Sequence, residues 1–138
     1  NRLEGYREAL AGSGVSMDSA LIADGNWSFS SGSKGIRALL ETGVEFDGLV
    51  ASNDMMALGA MQELTRWGVQ IPEQVKVIGI DNIDQSRRST PALSTIAFNQ
   101  KDIARTAHLF MKERLQGHPI PDEVIIPGKL IVRESSRT

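Results

Sequence analysis

The residues best placed for chemistry in this chain stand at the ends of two apolar runs. Gly48-Leu49-Val50-Ala51 passes into Ser52-Asn53-Asp54, and one repeat further on Val77-Ile78-Gly79-Ile80 passes into Asp81-Asn82. Short apolar runs bounded by polar turns form buried strands, and in an open α/β sheet ligands bind in the crevice outside the carboxyl ends of the strands. Amide and carboxylate side chains placed there twice are hydrogen-bonding partners for a small polar molecule. The chemistry expected is recognition, and the chain is expected to be a ligand sensor.

Catalytic patterns do not assemble. His108 lies in a predicted helix and His118 beside its end, with no Cys, no HExxH and no G-x-S-x-G to complete a reactive set. Gly12-x-Gly14 lacks the third glycine of a dinucleotide fingerprint, and Ser31-Gly32-Ser33-Lys34-Gly35 lacks the spacing of a phosphate loop. Asp81 and Asp84 suit a solvated loop as well as acid-base work. No enzyme activity, cofactor or metal site is therefore expected. The absence of Cys excludes disulfide frameworks and thiolate metal sites. Fifteen basic and seventeen acidic residues leave a net charge of −2, which does not suit a phosphate-neutralising or membrane-seeking surface. No apolar run approaches the roughly 18 residues of a membrane span, and a cytoplasmic setting is expected.

The elements that must position these turns follow from hydrophobic spacing. Leu3, Tyr6, Arg7 and Leu10 mark a helix stopped at Gly12-Ser13-Gly14. Residues 20–22 predict a short strand. Residues 30–42 predict a helix with Ile36, Leu39 and Leu40 inward and Gly43 past its end. After the strand at 48–52, a helix over 55–67 presents Leu58, Met61 and Leu64 along one side and stops at Gly68. Strands follow at 76–80 and 94–98, with a short turn or helix around 85–88 between them. A helix over 101–115 carries the stripe Ile103, Ala107, Phe110 and Met111, and extended segments at 124–126 and 130–132 close the chain. Successive β-α-β units predict an α/β fold with a doubly wound parallel sheet, right-handed crossovers and helices on both faces. With 138 residues, 41% of them hydrophobic, the chain suits one ordinary domain.

Several of these stretches together resemble the effector-binding core of LacI/GalR-family transcriptional regulators. Arg2-Leu3-Glu4-Gly5-Tyr6-Arg7-Glu8-Ala9-Leu10 is similar to that family's R-x-x-G-[YF]-x-x-A-L helix, and Ser52-Asn53-Asp54 through Ala57-Leu58-Gly59-Ala60 to its N-D-x-M-A-x-G helix start. Gly68-Val69-Gln70-Ile71-Pro72 followed by Val75 to Asn82 resembles its G-x-x-[VI]-P-x-D-[VI]-x-[VI]-x-G-[FY]-D pattern, with Gln74 where Asp is usual and Ile80 where an aromatic is usual. Pro91-Ala92-Leu93-Ser94-Thr95-Ile96 and Leu130-Ile131-Val132-Arg133-Glu134-Ser135-Ser136 complete five collinear matches.

The resemblance implies a type I periplasmic-binding-protein-like fold, divided as the C-terminal subdomain (1–98), a crossover helix of the N-terminal subdomain (99–118) and closing strands (119–138). The family's helix-turn-helix, the N-terminal half of the sensor and the first strand of this subdomain are not in the chain, which therefore looks like a fragment. Among implied ligand contacts, Asp81 accepts from hydroxyls, Asn53 faces the ligand or caps its helix, and Arg2 forks onto paired oxygens. Trp27 covers a sugar or base face or else sits in the core. Phe98 falls where some sugar-binding members carry a polar side chain. Asp54 is expected to complement the helix dipole rather than touch ligand. Leu58, Arg88 and Ser89 are the implied dimer contacts. The implied effector is a sugar or sugar derivative, with a purine second, and operator DNA would be reached only through the absent domain. A periplasmic-type sugar-binding protein for transport is the alternative. The helix over 101–115 is expected to dock elsewhere or to be disordered, since its usual cover is missing.

Overall fold

Caps written into the sequence set the helices. In the computed structural model, which describes residues 1–137, α1 (Arg2–Gly12) starts at Asn1, whose side chain accepts from the Glu4 N–H. Thr138, the last residue of the predicted closing segment, lies outside the described residues. α2 (Phe29–Thr42) starts at Ser28, whose Oγ accepts the Ser31 N–H at 3.1 Å, and ends at Gly43 with φ 73°. α3 (Asp54–Arg66) starts at Asn53, whose Oδ1 accepts the Met56 N–H at 2.8 Å. Side-chain caps of this kind satisfy amides that have no partner within the helix.

β1 (Gly48–Val50), β2 (Lys76–Ile80), β3 (Ser94–Ala97) and β4 (Lys129–Ile131) form one sheet in the order β1-β2-β3-β4. The first three are parallel, with Leu49 opposite Val77 and Ile80 opposite Ile96, while β4 runs antiparallel to β3 with Leu130 opposite Ile96. The sheet is thus mixed rather than parallel throughout. α4 (Asp84–Arg88) links β2 to β3, and α5 (Gln100–Leu115) follows β3.

Two predicted strands do not form. Residues 19–21 make a single 3-10 turn, and Ile22 beyond them is extended without a strand partner. A strand needs a hydrogen-bonded neighbour. Between this segment and the outer edge of β1 lies a groove of about 220 Å³, lined by Leu21, Ile22, Ile36, Leu49 and Val50. Residues 124–126 are likewise unpaired, and Ile125 is exposed.

The core lies between α2, α3 and the sheet. Ala57, Ala60, Met61 and Leu64 of α3 are buried with Ile36, Leu39, Val77 and Leu93, and each large side chain so buried stabilises by ~1.5–3 kcal/mol. Gly32 and Gly59 let the two helices touch: a Cβ on Gly32 would strike the Met56 carbonyl, and one on Gly59 the Phe29 carbonyl. α1 and α5 bury no residue. α5 is helical and does not dock on its own sheet; Asn99 caps it, Asp102 lies in its first turn, and Lys112 and Arg114 lie in its last. Its Ile103 and Met111 stand exposed.

Candidate ligand cleft

Because β1 and β2 are parallel neighbours, the turns at their carboxyl ends lie side by side. The second turn is held in an unusual shape. Asp81 and Asn82 have φ of 120° and 55°, a region non-glycine residues rarely adopt. Backbone and side-chain bonds hold them there: the Asp81 N–H donates to the Ile96 carbonyl at 2.9 Å, the Asn82 N–H to Thr95 Oγ1 at 3.2 Å, and Arg133 Nη2 to Asn82 Oδ1 at 2.6 Å.

Arg2, Trp27 and Asp81 converge on this rim. Arg2 donates to the Ser52 carbonyl, places Nη2 3.7 Å from Asp81 Oδ1, and sets its guanidinium carbon 5.1 Å from the Trp27 ring centroid. A guanidinium at this distance over indole is attracted by the ring's negative face. Trp27 is 57% exposed, so it is not a core tryptophan. Its backbone has φ 69°, and its carbonyl accepts from Asn53 Nδ2 at 2.9 Å. Asn53 is buried, with its oxygen on the Met56 N–H and its nitrogen on Trp27. It therefore caps α3 and anchors the aromatic residue. Phe98 follows β3, on the next strand end, and stands beside Gly128. Burial pushes the Asp81 carboxyl above its ordinary pKa; Arg2 opposes that rise and the charge of Asp54 adds to it.

The cluster thus offers a forked cation, a carboxylate acceptor and a flat apolar face, the set that grips vicinal hydroxyls and the apolar side of a sugar ring. Three further residues shape it that sequence spacing did not single out for the site: Asp54, Thr95 and Arg133. Asp54 stands in the first turn of α3, as expected, and is fully buried there, and Thr95 and Arg133 reach the turn from distant parts of the chain. Elsewhere, Leu58, Arg88 and Ser89 line an open groove of about 560 Å³ with Phe29, Met61 and Thr65. Among the described residues no helix is long and apolar enough to cross a membrane.

A mixed α/β sheet with polar turns at the carboxyl ends of its parallel strands defines a domain of the periplasmic-binding-protein class. Residues 1–136 match the periplasmic binding protein-like domain family, and the chain belongs to that family in the form found in LacI/GalR regulators. It is 42% identical over 134 residues to the HTH-type transcriptional regulator AscG of Escherichia coli K12, covering 97% of this chain and 40% of that protein. It superposes on the transcriptional regulator CelR–cellobiose complex with a TM-score of 0.91 at 30% identity, covering 98% of this chain and 42% of that one. On the lac repressor dimer bound to operator and the anti-inducer ONPF the TM-score is 0.90 at 27% identity, covering 99% and 47%. The chain spans about 40% of the length of the curated relatives it matches.

Proposed function

We propose that this chain is the effector-binding and dimerising part of a LacI/GalR-type transcriptional regulator that senses a sugar or sugar derivative. The convergence of Arg2, Trp27 and Asp81 on one rim carries this reading. Arg2 and Asp81 hold hydroxyls, Trp27 covers the ring, Asn53 fixes Trp27 from below, and Phe98 borders the same rim. In this division residues 1–98 form the C-terminal subdomain, 99–118 the crossover helix and 119–138 the closing strands. The full-length regulator reaches operator DNA through a separate helix-turn-helix and works in the cytoplasm without a catalytic step. The names of the relatives favour this over a transport protein, and the cellobiose complex favours a sugar over a purine.

Calorimetric titration of the full-length protein with mono- and disaccharides, cellobiose first, tests the reading. A sugar should bind, and Asp81→Ala should weaken it by ~1.5–3 kcal/mol, the scale of a hydrogen bond to a charged group. Unchanged affinity removes Asp81 from the site, and binding of nucleosides but no sugar transfers the cleft to a base. The same regulator is a homodimer through Leu58, Arg88 and Ser89. A twofold axis sets each Leu58 in a self-complementary patch, so Leu58→Asp should yield monomers in sedimentation; a surviving dimer excludes this face.

A further inference from the structure

We infer that Asp54 is a positioning residue of the cleft, whose buried carboxylate fixes both the Asp81-Asn82 turn and the start of α4. Its functional side rests on the sugar-sensing reading above; its geometry does not. Asp54 Oδ2 accepts the Ile83 N–H at 3.0 Å and the Ser86 hydroxyl at 2.5 Å, while Oδ1 accepts the Thr95 hydroxyl at 2.6 Å. The Thr95 hydroxyl has one proton, which goes to Asp54, and its oxygen accepts the Asn82 N–H. One carboxylate therefore governs two successive amides of the turn, Ile83 directly and Asn82 through Thr95.

The surroundings are built for this. Ile83, which opens α4, makes no side-chain cap, and its own N–H is held by a carboxylate that α3 supplies. Gly79, two residues before Asp81, is the position where a Cβ would collide with Asp54 Oδ1. Glycine weakens a strand interior, and here it leaves the space that the carboxylate fills. The left-handed φ values of Asp81 and Asn82 persist only where neighbours over-determine them. Thr95 and Asp54 hold the turn through Asn82 N–H and Ile83 N–H, and Arg133 holds it through Asn82 Oδ1. Ser86 passes the anchor on to the start of β3, since its carbonyl accepts the Leu93 N–H at 2.8 Å.

The test compares Asp54→Asn and the near-isosteric Thr95→Val with Glu63→Gln, a variant at the far end of α3, in the full-length protein. Amide hydrogen exchange at Asn82 and Ile83 is read by NMR without ligand, alongside the melting temperature and the cellobiose dissociation constant. Exchange at those two amides should rise roughly tenfold or more in Asp54→Asn, and cellobiose should weaken by a similar factor, as befits a lost hydrogen bond to a charge. Thr95→Val should do the same at Asn82, and decides the matter if Asp54→Asn does not fold. Glu63→Gln, which removes the other buried carboxylate of α3, should leave both readouts unchanged. Unaltered exchange at Asn82 and Ile83, or faster exchange with wild-type cellobiose affinity, overturns the inference. If the wild-type protein binds no sugar, the sensing reading fails while the exchange result still decides whether Asp54 positions the turn.

Discussion

Helix α3 buries two carboxylates, and they are held in opposite ways. Glu63, near its end, accepts from Arg37 Nε at 2.8 Å, Ser33 Oγ at 3.0 Å, Trp67 Nε1 at 3.3 Å and Arg66 Nη1 at 3.4 Å. Asp54, at its start, accepts from two hydroxyls and a backbone N–H, with no cation among those partners. Glu63 sits among flexible side chains, of which Arg37 and Arg66 are about half exposed or more, and it clamps α2 to α3. Asp54 sits among groups whose positions the sheet dictates. The difference teaches that a buried carboxylate ringed by solvent-reaching cations adds stability that water can partly replace. One ringed by a backbone N–H and hydroxyls sets geometry instead, because its partners are fixed by the sheet and the turn.

Breaking the Asp54 side should have the largest effect. Asp54→Ala strands the Ile83 N–H and two hydroxyls in a dry site, and unpaired buried groups cost ~1–3 kcal/mol each, so a total of roughly 3–5 kcal/mol is expected by urea denaturation. A loss within that of an exposed substitution would show that water enters and that the contrast with Glu63 is false. Asn53→Ala removes the cap beside Asp54 and should cost about 1 kcal/mol in thermal melts, with the Trp27 indole NMR signal broadening as its carbonyl anchor is lost. An unmoved Trp27 signal would assign its pose to Arg2 alone. The smallest effect should lie at Glu63 and appear only in acid. Hydrogen bonding from Arg37 chiefly, with Ser33 and Trp67, holds its carboxyl down to about 2 from an ordinary 4.5. A pKa lowered by folding gives stability that is complete above about 4.5 and is lost as pH falls toward about 2. Melting temperatures taken down that range should fall in the wild-type protein, and Glu63→Gln should flatten the decline. An equal decline in both would assign acid sensitivity to other carboxylates.

Periodicity and caps were legible in the residues themselves. Asn53, Gly43 and Gly68 placed the limits of α2 and α3 to within a residue, since capping is local chemistry between neighbours in the chain, while the Ser28 cap emerged only in the structure. Arg2, Trp27 and Asp81 were also nameable from the sequence, because their types and their places in family-like motifs survive any detail of packing. What the residues around 20–22 and 124–126 could not reveal was whether a partner strand lay beside them; a strand is a property of two segments, and neither run pairs with another. The antiparallel β4 is non-local for the same reason.

The sequence by itself determined the helices and the succession of strands through spacing that each segment carries alone, and its resemblance to LacI/GalR regulators named Arg2, Trp27 and Asp81. Only the tertiary structure decided that Asn53 turns inward to hold Trp27, and that Asp54 in the first turn of α3 also holds the Asp81-Asn82 turn. It alone brought Thr95 and Arg133 from far along the chain to fix Asn82. A side chain's role depends on which donors surround it once the chain has closed, and no local pattern encodes neighbours that arrive from another strand.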